Sequence, residues 1–443
     1  MDHHRATADT FRYEGYELDH VQSQVTCRYS LGQHHFCEQF SFDPGGDWST
    51  PAVDAAARIL FLLAGVSYYK AAAPPVVDLG DTATTDLERR FLRTFYTEGL
   101  AEFAYRNDID LSDLRIVGPE IDRREPAPYA SEPGRPLVPF GGGIDSIVSA
   151  EVVRQRHPGA ALFVVSKSAD RFDAIERPAK VSGLPVIRAE RELDAKVVRS
   201  TELGFLNGHV PVTGIISATA LVAAVLSHRS AVVMSNEWSA SVGNVVVDGR
   251  TINHQWSKGM TFELGFREVL AAAFDAPPSY FSLLRPYSEL WVASRFADLT
   301  RYHPVFRSCN RAFHVDRARR LDRWCGTCDK CCFIDLVLSP FLPRSALVSI
   351  FSGHEPLEDP ALESRFRALL GTGSDPKPFE CVGDVGECRA ALLLAAGRTD
   401  RAGTKLIQTL ATEVHAGSMD VELLHPIGAH CIPDEYAPED QLV

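Results

Sequence analysis

The segment Phe140–Ser146, with the sequence FGGGIDS, carries the strongest chemical signal in the chain. It follows a short apolar run, Leu137–Phe140, which predicts a strand, and it opens an amphipathic run, Ile144–Arg156, which predicts a helix. Glycines at such a junction let backbone N–H groups approach an anion, and the N-terminus of the helix adds a favourable dipole. The segment therefore predicts a phosphate site formed by Gly141, Gly142, Gly143, Asp145 and Ser146.

This loop departs from two common nucleotide-binding motifs. No Lys-Ser or Lys-Thr pair follows the glycines as in Walker A, and Ser146 stands where a dinucleotide fingerprint has its third glycine. The alternative is that the glycines only form an ordinary tight turn and bind no ligand. The loop resembles the Ser-Gly-Gly-x-Asp-Ser loop of ATP pyrophosphatases, the PP-loop family, with Gly141 in place of the first serine. That resemblance implies an enzyme that cleaves ATP between its α and β phosphates.

A cluster of cysteines is the second chemical signal. The segment Cys325–Cys332 contains four of them, and Cys309 precedes it. Two-residue spacings let successive thiolates reach one metal ion, and tetrahedral zinc suits four sulfurs. The predicted ligands are Cys309, Cys325, Cys328 and Cys331. Free thiols packed against a helix that begins near Asp329, or an iron–sulfur cluster, are the alternatives. The cluster also resembles the zinc site of 7-cyano-7-deazaguanine synthases, which are PP-loop enzymes.

Composition limits the class of protein. A chain of 443 residues with 45% hydrophobic content can bury a large core and predicts about two or three domains. The net charge of -13 disfavours a broad nucleic-acid surface. The N-terminus has no apolar signal core, and apolar runs such as Ile59–Val66 are too short to span a bilayer. We therefore expect a cytoplasmic protein that binds neither nucleic acid nor membrane.

The first domain, residues 1–130, is predicted to have an α+β fold. Alternating patterns predict a small antiparallel sheet from Phe11–Leu18, Val25–Leu31 and His35–Phe42. A helix should begin after Thr50, and a second should cover Asp86–Tyr105. The proline-rich stretch Pro119–Pro139 is then interpreted as a linker.

Residues 131–340 are predicted to form an α/β domain with a parallel, doubly wound sheet, of the PP-loop or adenine nucleotide alpha hydrolase-like kind. The expected strands are Leu162–Val165, Leu184–Ile187 and Ala231–Met234, and a helix is expected at Thr213–His228. Ligands of such sheets bind beyond the carboxyl ends of the strands. Those ends add Ser166, Lys167, Ser235 and Asn236 to the predicted nucleotide site.

The last region, residues 341–443, is predicted to be mostly helical. Candidate helices are Ala390–Leu394 and Leu406–Val414. An acidic tail is expected from Asp434 onward.

Five further segments, taken together, resemble the UDP-N-acetylmuramoyl-L-alanyl-L-glutamate epimerase (MurL) family. They are FRYEGYEL at 11–18, SNEW at 235–238, NHQWSK at 253–258, WCGTCDKC at 324–331 and KPFECVG at 377–383. The likeness runs from about Phe11 to Tyr436. It implies a PP-loop-related enzyme of peptidoglycan synthesis that inverts the terminal L-glutamate of UDP-MurNAc-L-Ala-L-Glu. The same resemblance implies that ATP is consumed to AMP and pyrophosphate.

Such a reaction needs groups that bind phosphates and groups that move a proton. Adenylation would acidify the α carbon, and Asp145 would bind Mg²⁺ on the phosphates. Candidates for proton transfer are Lys258, His254, Glu237, Glu380 and Cys381. Each of these is equally compatible with a packed or solvated side chain. Candidates for the UDP diphosphate are Arg285, Arg317, Arg319, Arg320 and Arg323, although the last four also suit a solvated helix face.

Two other functions fit the same motifs. A nucleobase-forming or tRNA-modifying PP-loop ligase would use ammonia or sulfur as nucleophile, but the acidic charge balance disfavours it. A nucleotide-sensing protein that binds ATP without turnover is the non-catalytic alternative. Formation of AMP and pyrophosphate with carboxylate substrates would separate catalysis from sensing.

Overall fold

The computed structural model describes residues 8–243, 245–247, 249–314, 316–374, 377–414 and 421–437. Its strands are β1 (Thr10–Asp19), β2 (Gln24–Leu31), β3 (His34–Phe42), β4 (Val76–Asp78), β5 (Arg115–Val117), β6 (Glu132–Pro139), β7 (Ala161–Ser166), β8 (Val186–Glu192), β9 (Arg229–Met234), β10 (Val245–Val247), β11 (Arg250–Ile252) and β12 (Ser279–Ser282). Ten of them form one sheet in the order β12-β9-β6-β7-β8-β3-β2-β1-β4-β5, and β10 pairs with β11 separately.

One half of the large sheet is parallel and doubly wound. Strands β12, β9, β6, β7 and β8 pair in parallel. In chain order this half reads 5-4-1-2-3, so the direction of winding reverses at β6. The α/β class and the parallel sheet are therefore confirmed. In such folds the crevice at the reversal point is the usual ligand site.

Helices cover both faces of the sheet. They are α1 (Pro51–Ala64), α2 (Val66–Tyr69), α3 (Asp86–Thr97), α4 (Ala101–Asn107), α5 (Ile144–Arg156), α6 (Asp173–Ser182), α7 (Ala195–Val198), α8 (Val212–Leu226), α9 (Met260–Ala273), α10 (Glu289–Ala297), α11 (Asp329–Leu338), α12 (Arg344–Ile350), α13 (Glu363–Leu370), α14 (Val385–Ala396) and α15 (Lys405–Glu413). Side chains alternate along β6, so Leu137 packs into a core with α1 and α8 while Val138 packs into a second core with α5 and α11.

The N-terminal strands do not form the separate small sheet that the sequence predicts. All three expected strands are present, but β3 pairs antiparallel with β8, with Phe40 opposite Arg191. The sheet therefore continues from the N-terminal region into the parallel half. The division of the chain at residues 130 and 340 stays an interpretation.

Three local predictions are correct only in part. Residues 132–139 of the expected linker form β6, and its prolines are accommodated by an irregular register between Glu132 and Pro136. The strand expected at Leu184–Ile187 is shifted to β8, because its polar residues pair with β3. The helix expected at Asp86–Tyr105 is divided into α3 and α4.

The continuous helical stretch Pro51–Tyr69 is longer than the apolar run that the sequence suggests. By length and composition alone it is long enough to cross a membrane. However, 89% of its most apolar window is buried inside the protein, and Thr50 caps its first turn. This burial is typical of a core helix packed on a sheet.

The C-terminal region is mostly helical, as predicted. It contains α12 to α15, and the two helices expected there correspond to α14 and α15. The acidic tail begins with a short turn at Asp434–Tyr436, and residues 438–443 lie outside the described part of the chain.

Candidate active site

A cavity of about 470 Å³ lies at the carboxyl ends of β6 and β9, where the strand order reverses. Much of its wall consists of predicted site residues. These are Gly141, Gly143, Asp145, Ser146, Ser235, Asn236, Lys258, Glu380 and Cys381. The structure therefore brings together residues from four distant parts of the chain at the position that the fold class favours for a ligand.

The glycine loop needs one of its glycines for steric reasons. Gly142 has φ +75°, and a Cβ atom there would lie 2.2 Å from the carbonyl oxygen of Ala174. A Cβ atom on Gly141 would meet no atom within 4 Å. Helix α5 begins directly after the loop, and the Ser146 hydroxyl donates to the Gly143 carbonyl at 3.1 Å. The loop thus presents a helix N-terminus at the cavity wall, as a phosphate site requires.

A group of three carboxylates, of which Glu237 and Glu289 are buried, lies at this loop. One oxygen each from Asp145, Glu237 and Glu289 lies within 4.8 Å of the others. Within the described residues, Oδ1 of Asp145 and Oε2 of Glu289 have no hydrogen-bond partner. Burial, reinforced by the negative charge of Glu237, raises the pKa of Asp145 to about 6 against the opposing charge of Lys330. These oxygens suit a divalent cation, which would supply the missing positive charge.

A lysine and a thiol meet at the wall of the same cavity. The Lys258 Nζ lies 3.4 Å from the Cys381 Sγ and also donates to the Gln255 side chain at 2.9 Å. Burial by itself would raise the pKa of Cys381, but the charge of Lys258 and a hydrogen bond from His254 lower it to about 6. Burial would lower the pKa of Lys258, but Cys381 and Glu237 raise it above its usual value. The pair is therefore an ammonium and a thiolate at neutral pH.

His254 is hydrogen bonded to Cys381 but does not line the cavity. Its Nδ1 is hydrogen bonded to Oε2 of Glu102. Its ring centroid lies 4.1 Å from that of His209. Burial would lower the pKa of His254, but the hydrogen bonds to Cys381 and Glu102 raise it to about 9.

Several predicted residues lie elsewhere. Ser166 is buried and Lys167 is exposed at the end of β7, and neither lines the cavity. Glu237 does not line the cavity, but one of its oxygens lies within 4.8 Å of one of Asp145. Arg285 cannot meet a diphosphate, because it is buried in an ion pair of 2.9 Å with Glu263.

The other predicted arginines also lie away from the cavity wall. Arg320 is paired with Asp170 at 2.6 Å, while Arg317 and Arg319 are exposed. Arg323 lines a separate cavity, to which Arg307 also contributes.

Among the cavity residues missed from the sequence are Arg307, Ser308, Asn310 and Lys330. Lys330 lies inside the cysteine segment, which was the one signal that could have identified it. Its Nζ donates to the backbone carbonyl of Cys381. Arg307 is only 5% exposed, and within the described part of the chain it has no ion pair and no side-chain hydrogen bond. Its guanidinium is thus available to an anionic group in the cavity.

The four predicted metal ligands do converge. The sulfur atoms of Cys309, Cys325, Cys328 and Cys331 all lie within 4.8 Å of one another. The Cys331 sulfur is 3.4 Å from that of Cys328 and 3.6 Å from that of Cys325. Tetrahedral zinc with bonds of about 2.3 Å would hold its sulfurs about 3.8 Å apart. The donor set therefore fits zinc.

Comparison with known proteins gives consistent matches over nearly the whole chain. The family model for the MurL N-terminal domain matches residues 2–283, and that for the MurL C-terminal domain matches residues 305–423. No solved structure matches the chain.

Three relatives are each named UDP-N-acetyl-alpha-D-muramoyl-L-alanyl-L-glutamate epimerase. The one from Xanthomonas oryzae pv. oryzae (strain MAFF 311018) is 38% identical over 96% of this chain and 95% of its own length. That from Micromonospora sp. (strain ATCC 39149 / NRRL 15099 / SCC 1413) is 38% identical over 97% of both chains. That from Salinispora tropica is 39% identical over 87% of this chain and 84% of its own.

The doubly wound sheet, with its glycine loop at the point of reversal, defines an α/β protein of the kind that binds ligands at that crevice. The two domain matches and the relatives specify it further. The chain belongs to the MurL epimerase family.

Proposed function

We propose that the protein is an ATP-dependent epimerase that inverts the terminal L-glutamate of UDP-MurNAc-L-Ala-L-Glu and releases AMP and pyrophosphate. The names of its relatives support the substrate and the inversion. The observation that carries the proposal is the cavity that joins the glycine loop to the Lys258–Cys381 pair. The use of ATP and a UDP-linked peptide also supports a cytoplasmic location.

Activation of the carboxyl group explains why ATP is needed. Removing a proton next to a free carboxylate would create a dianion, whereas an acyl-adenylate is an ester-like carbonyl whose α proton is far more acidic. The substrate carboxylate oxygen attacks the α phosphorus, a new O–P bond forms, and the bond to the pyrophosphate breaks. The loop from Gly141 to Ser146, together with Arg307 and Lys330, would hold the departing phosphates.

A divalent cation and a zinc ion fit the residues present. Asp145 and Glu289 would hold Mg²⁺, which would shield the phosphate charge during the attack. Zinc on the four clustered cysteines would fix the start of α11 and with it Lys330, whose side chain reaches Cys381. The metal on the cysteines therefore has a structural role in this proposal.

The thiolate of Cys381 is the proposed base. It would take the α proton, while the electron pair moves onto the activated carbonyl. The Lys258 ammonium, only 3.4 Å from that sulfur, must lie on the same side of the α carbon. Lys258 therefore stabilises the negative charge of the thiolate and of the enolate. It is not the acid that protonates the opposite face of the α carbon. A proton derived from solvent reaches that face to give the D centre, and water then releases AMP and the product.

The test uses the purified full chain, ATP and UDP-MurNAc-L-Ala-L-Glu. We expect D-glutamate after acid hydrolysis of the product, with AMP formed alongside it. Asp145→Asn should lose both products while remaining folded. Asp173→Asn is the matched control, because that aspartate is exposed in the first turn of the neighbouring helix α6. AMP without inversion would indicate an adenylating ligase, and ADP would rule out the adenylate.

A further inference from the structure

Three side chains form a continuous line from the cavity into the N-terminal part of the protein. Cys381 lines the cavity and is hydrogen bonded to His254. The Nδ1 atom of His254 is in turn bonded to Glu102, which lies on α4 and is 5% exposed. These three residues come from distant parts of the chain, and only the folded protein brings them together.

The charged groups around this line are few. Glu102 also bonds the Arg106 side chain at 2.6 Å through its other oxygen. His209 packs against His254, and burial together with the charge of His254 lowers the pKa of His209 to about 4, so that ring is neutral. Cys381 also faces Lys258, from the turn Trp256–Lys258, and Lys330, from α11.

Of the described groups that face the sulfur, only His254 can accept its proton. Lysine side chains such as those of Lys258 and Lys330 donate hydrogen bonds and do not accept them. An imidazole has two distinct ring nitrogens, and a carboxylate on one fixes the role of the other. With Nδ1 of His254 held by Glu102, the second nitrogen is left for Cys381.

We propose that Glu102 is a positioning residue that holds His254 as the proton acceptor of Cys381, so that the thiolate exists before any substrate binds. The S–H bond breaks, the proton forms an N–H bond on the imidazole, and Glu102 remains a carboxylate that balances the imidazolium charge. No further reactant is needed. Only the later use of the thiolate as the base of the epimerisation rests on the proposed function.

The experiment measures the reaction of Cys381 with iodoacetamide as a function of pH, without ATP or the UDP-linked peptide. Peptide mass spectrometry on the full chain separates Cys381 from the other nine cysteines, given a total of 10. In the unsubstituted protein the rate should rise with an inflection near pH 6. In Glu102→Gln the inflection should move up by about one unit, which slows alkylation about tenfold below pH 6.

Further variants distinguish the loss of a residue that positions His254 from a general loss of structure. Glu102→Asp retains the charge and should recover part of the effect, while His254→Gln should shift the inflection at least as far as Glu102→Gln. Glu38→Gln is the matched control, since Glu38 is a buried glutamate that is ion-paired with Arg191 and does not line the cavity. It should leave the inflection of Cys381 unchanged.

An unshifted inflection in a folded Glu102→Gln protein would overturn the proposal, as would an inflection near that of a free thiol in the unsubstituted protein. If Glu102→Gln does not fold, an unshifted inflection in His254→Gln would overturn it equally. The assay involves no turnover, so its result is independent of the proposed function. A protein that lacks epimerase activity but shows the predicted titrations would reject only the proposed function.

Discussion

The Lys258 Nζ lies 3.4 Å from the Cys381 Sγ, although 123 positions separate the two residues in the chain. The contact joins the segment NHQWSK to the segment KPFECVG at the wall of the cavity. A cation this close to a buried sulfur favours the thiolate, because opposite charges interact strongly where water is excluded. The contact thus favours the thiolate form of a cysteine that lines the cavity.

Replacing Lys258 should change the pH dependence of the reaction. The thiolate is the active form, so kcat/KM should rise with pH through about 6 in the unsubstituted protein. Lys258→Met removes the largest influence that lowers the pKa of Cys381, so this acid limb should move to higher pH. Profiles of kcat/KM from about pH 5 to 9 measure the shift. Lys405→Met, at an exposed position on α15, is the control, and an acid limb that stays in place would exclude the proposed pair.

The glycine loop offers a matched pair of substitutions. Gly142→Ala adds a methyl group 2.2 Å from a carbonyl oxygen and in a left-handed conformation, so the loop must move and ATP consumption should fall by at least about tenfold. Gly141→Ala adds the same atom in open space and should retain most of the ATP consumption. Steady-state AMP formation compares the two. Equal rates for both variants would contradict the loop as a phosphate site.

The cysteine cluster predicts about one zinc ion per chain. Cys328→Ser removes one ligand and should reduce metal content and the melting temperature together, since metal binding and folding are coupled. Elemental analysis and thermal unfolding provide the two readouts. Cys37→Ser, at an exposed cysteine outside the cluster, should change neither. Fresh, active protein that contains no metal would refute this prediction.

Local signals predicted the parts of the fold that depend on neighbouring residues. The expected helix Ile144–Arg156 coincides with α5, because a glycine turn and an amphipathic pattern both mark its start. The cysteine ligands also converge as their spacing predicts. The helix start and three of the four cysteines, Cys325, Cys328 and Cys331, are each marked within a few neighbouring residues.

Features that depend on distant parts of the chain were not predictable in this way. The residue pattern of β3 and that of β8 do not indicate that the two strands pair. The N-terminal sheet was therefore expected to be separate from the parallel sheet. Likewise, Glu102 and Glu289 stand in ordinary helices, and only the folded chain brings them to His254 and Asp145. The first part of β6, before the expected strand Leu137–Phe140, was interpreted as a linker because of its prolines, which the irregular register between Glu132 and Pro136 accommodates.

The most direct test of the account is deuterium incorporation during the reaction in D₂O. With ATP and UDP-MurNAc-L-Ala-L-Glu, the D-glutamate product should carry deuterium at its α carbon, and AMP should form. Cys381→Ser should lower incorporation by about 10²-fold or more, the usual range for loss of a general base. Omitting ATP should stop both inversion and exchange, because the unactivated carboxylate leaves the α proton too weakly acidic. Inversion or exchange without ATP, or AMP formation without exchange, would contradict an epimerase that acts through an activated carboxyl group.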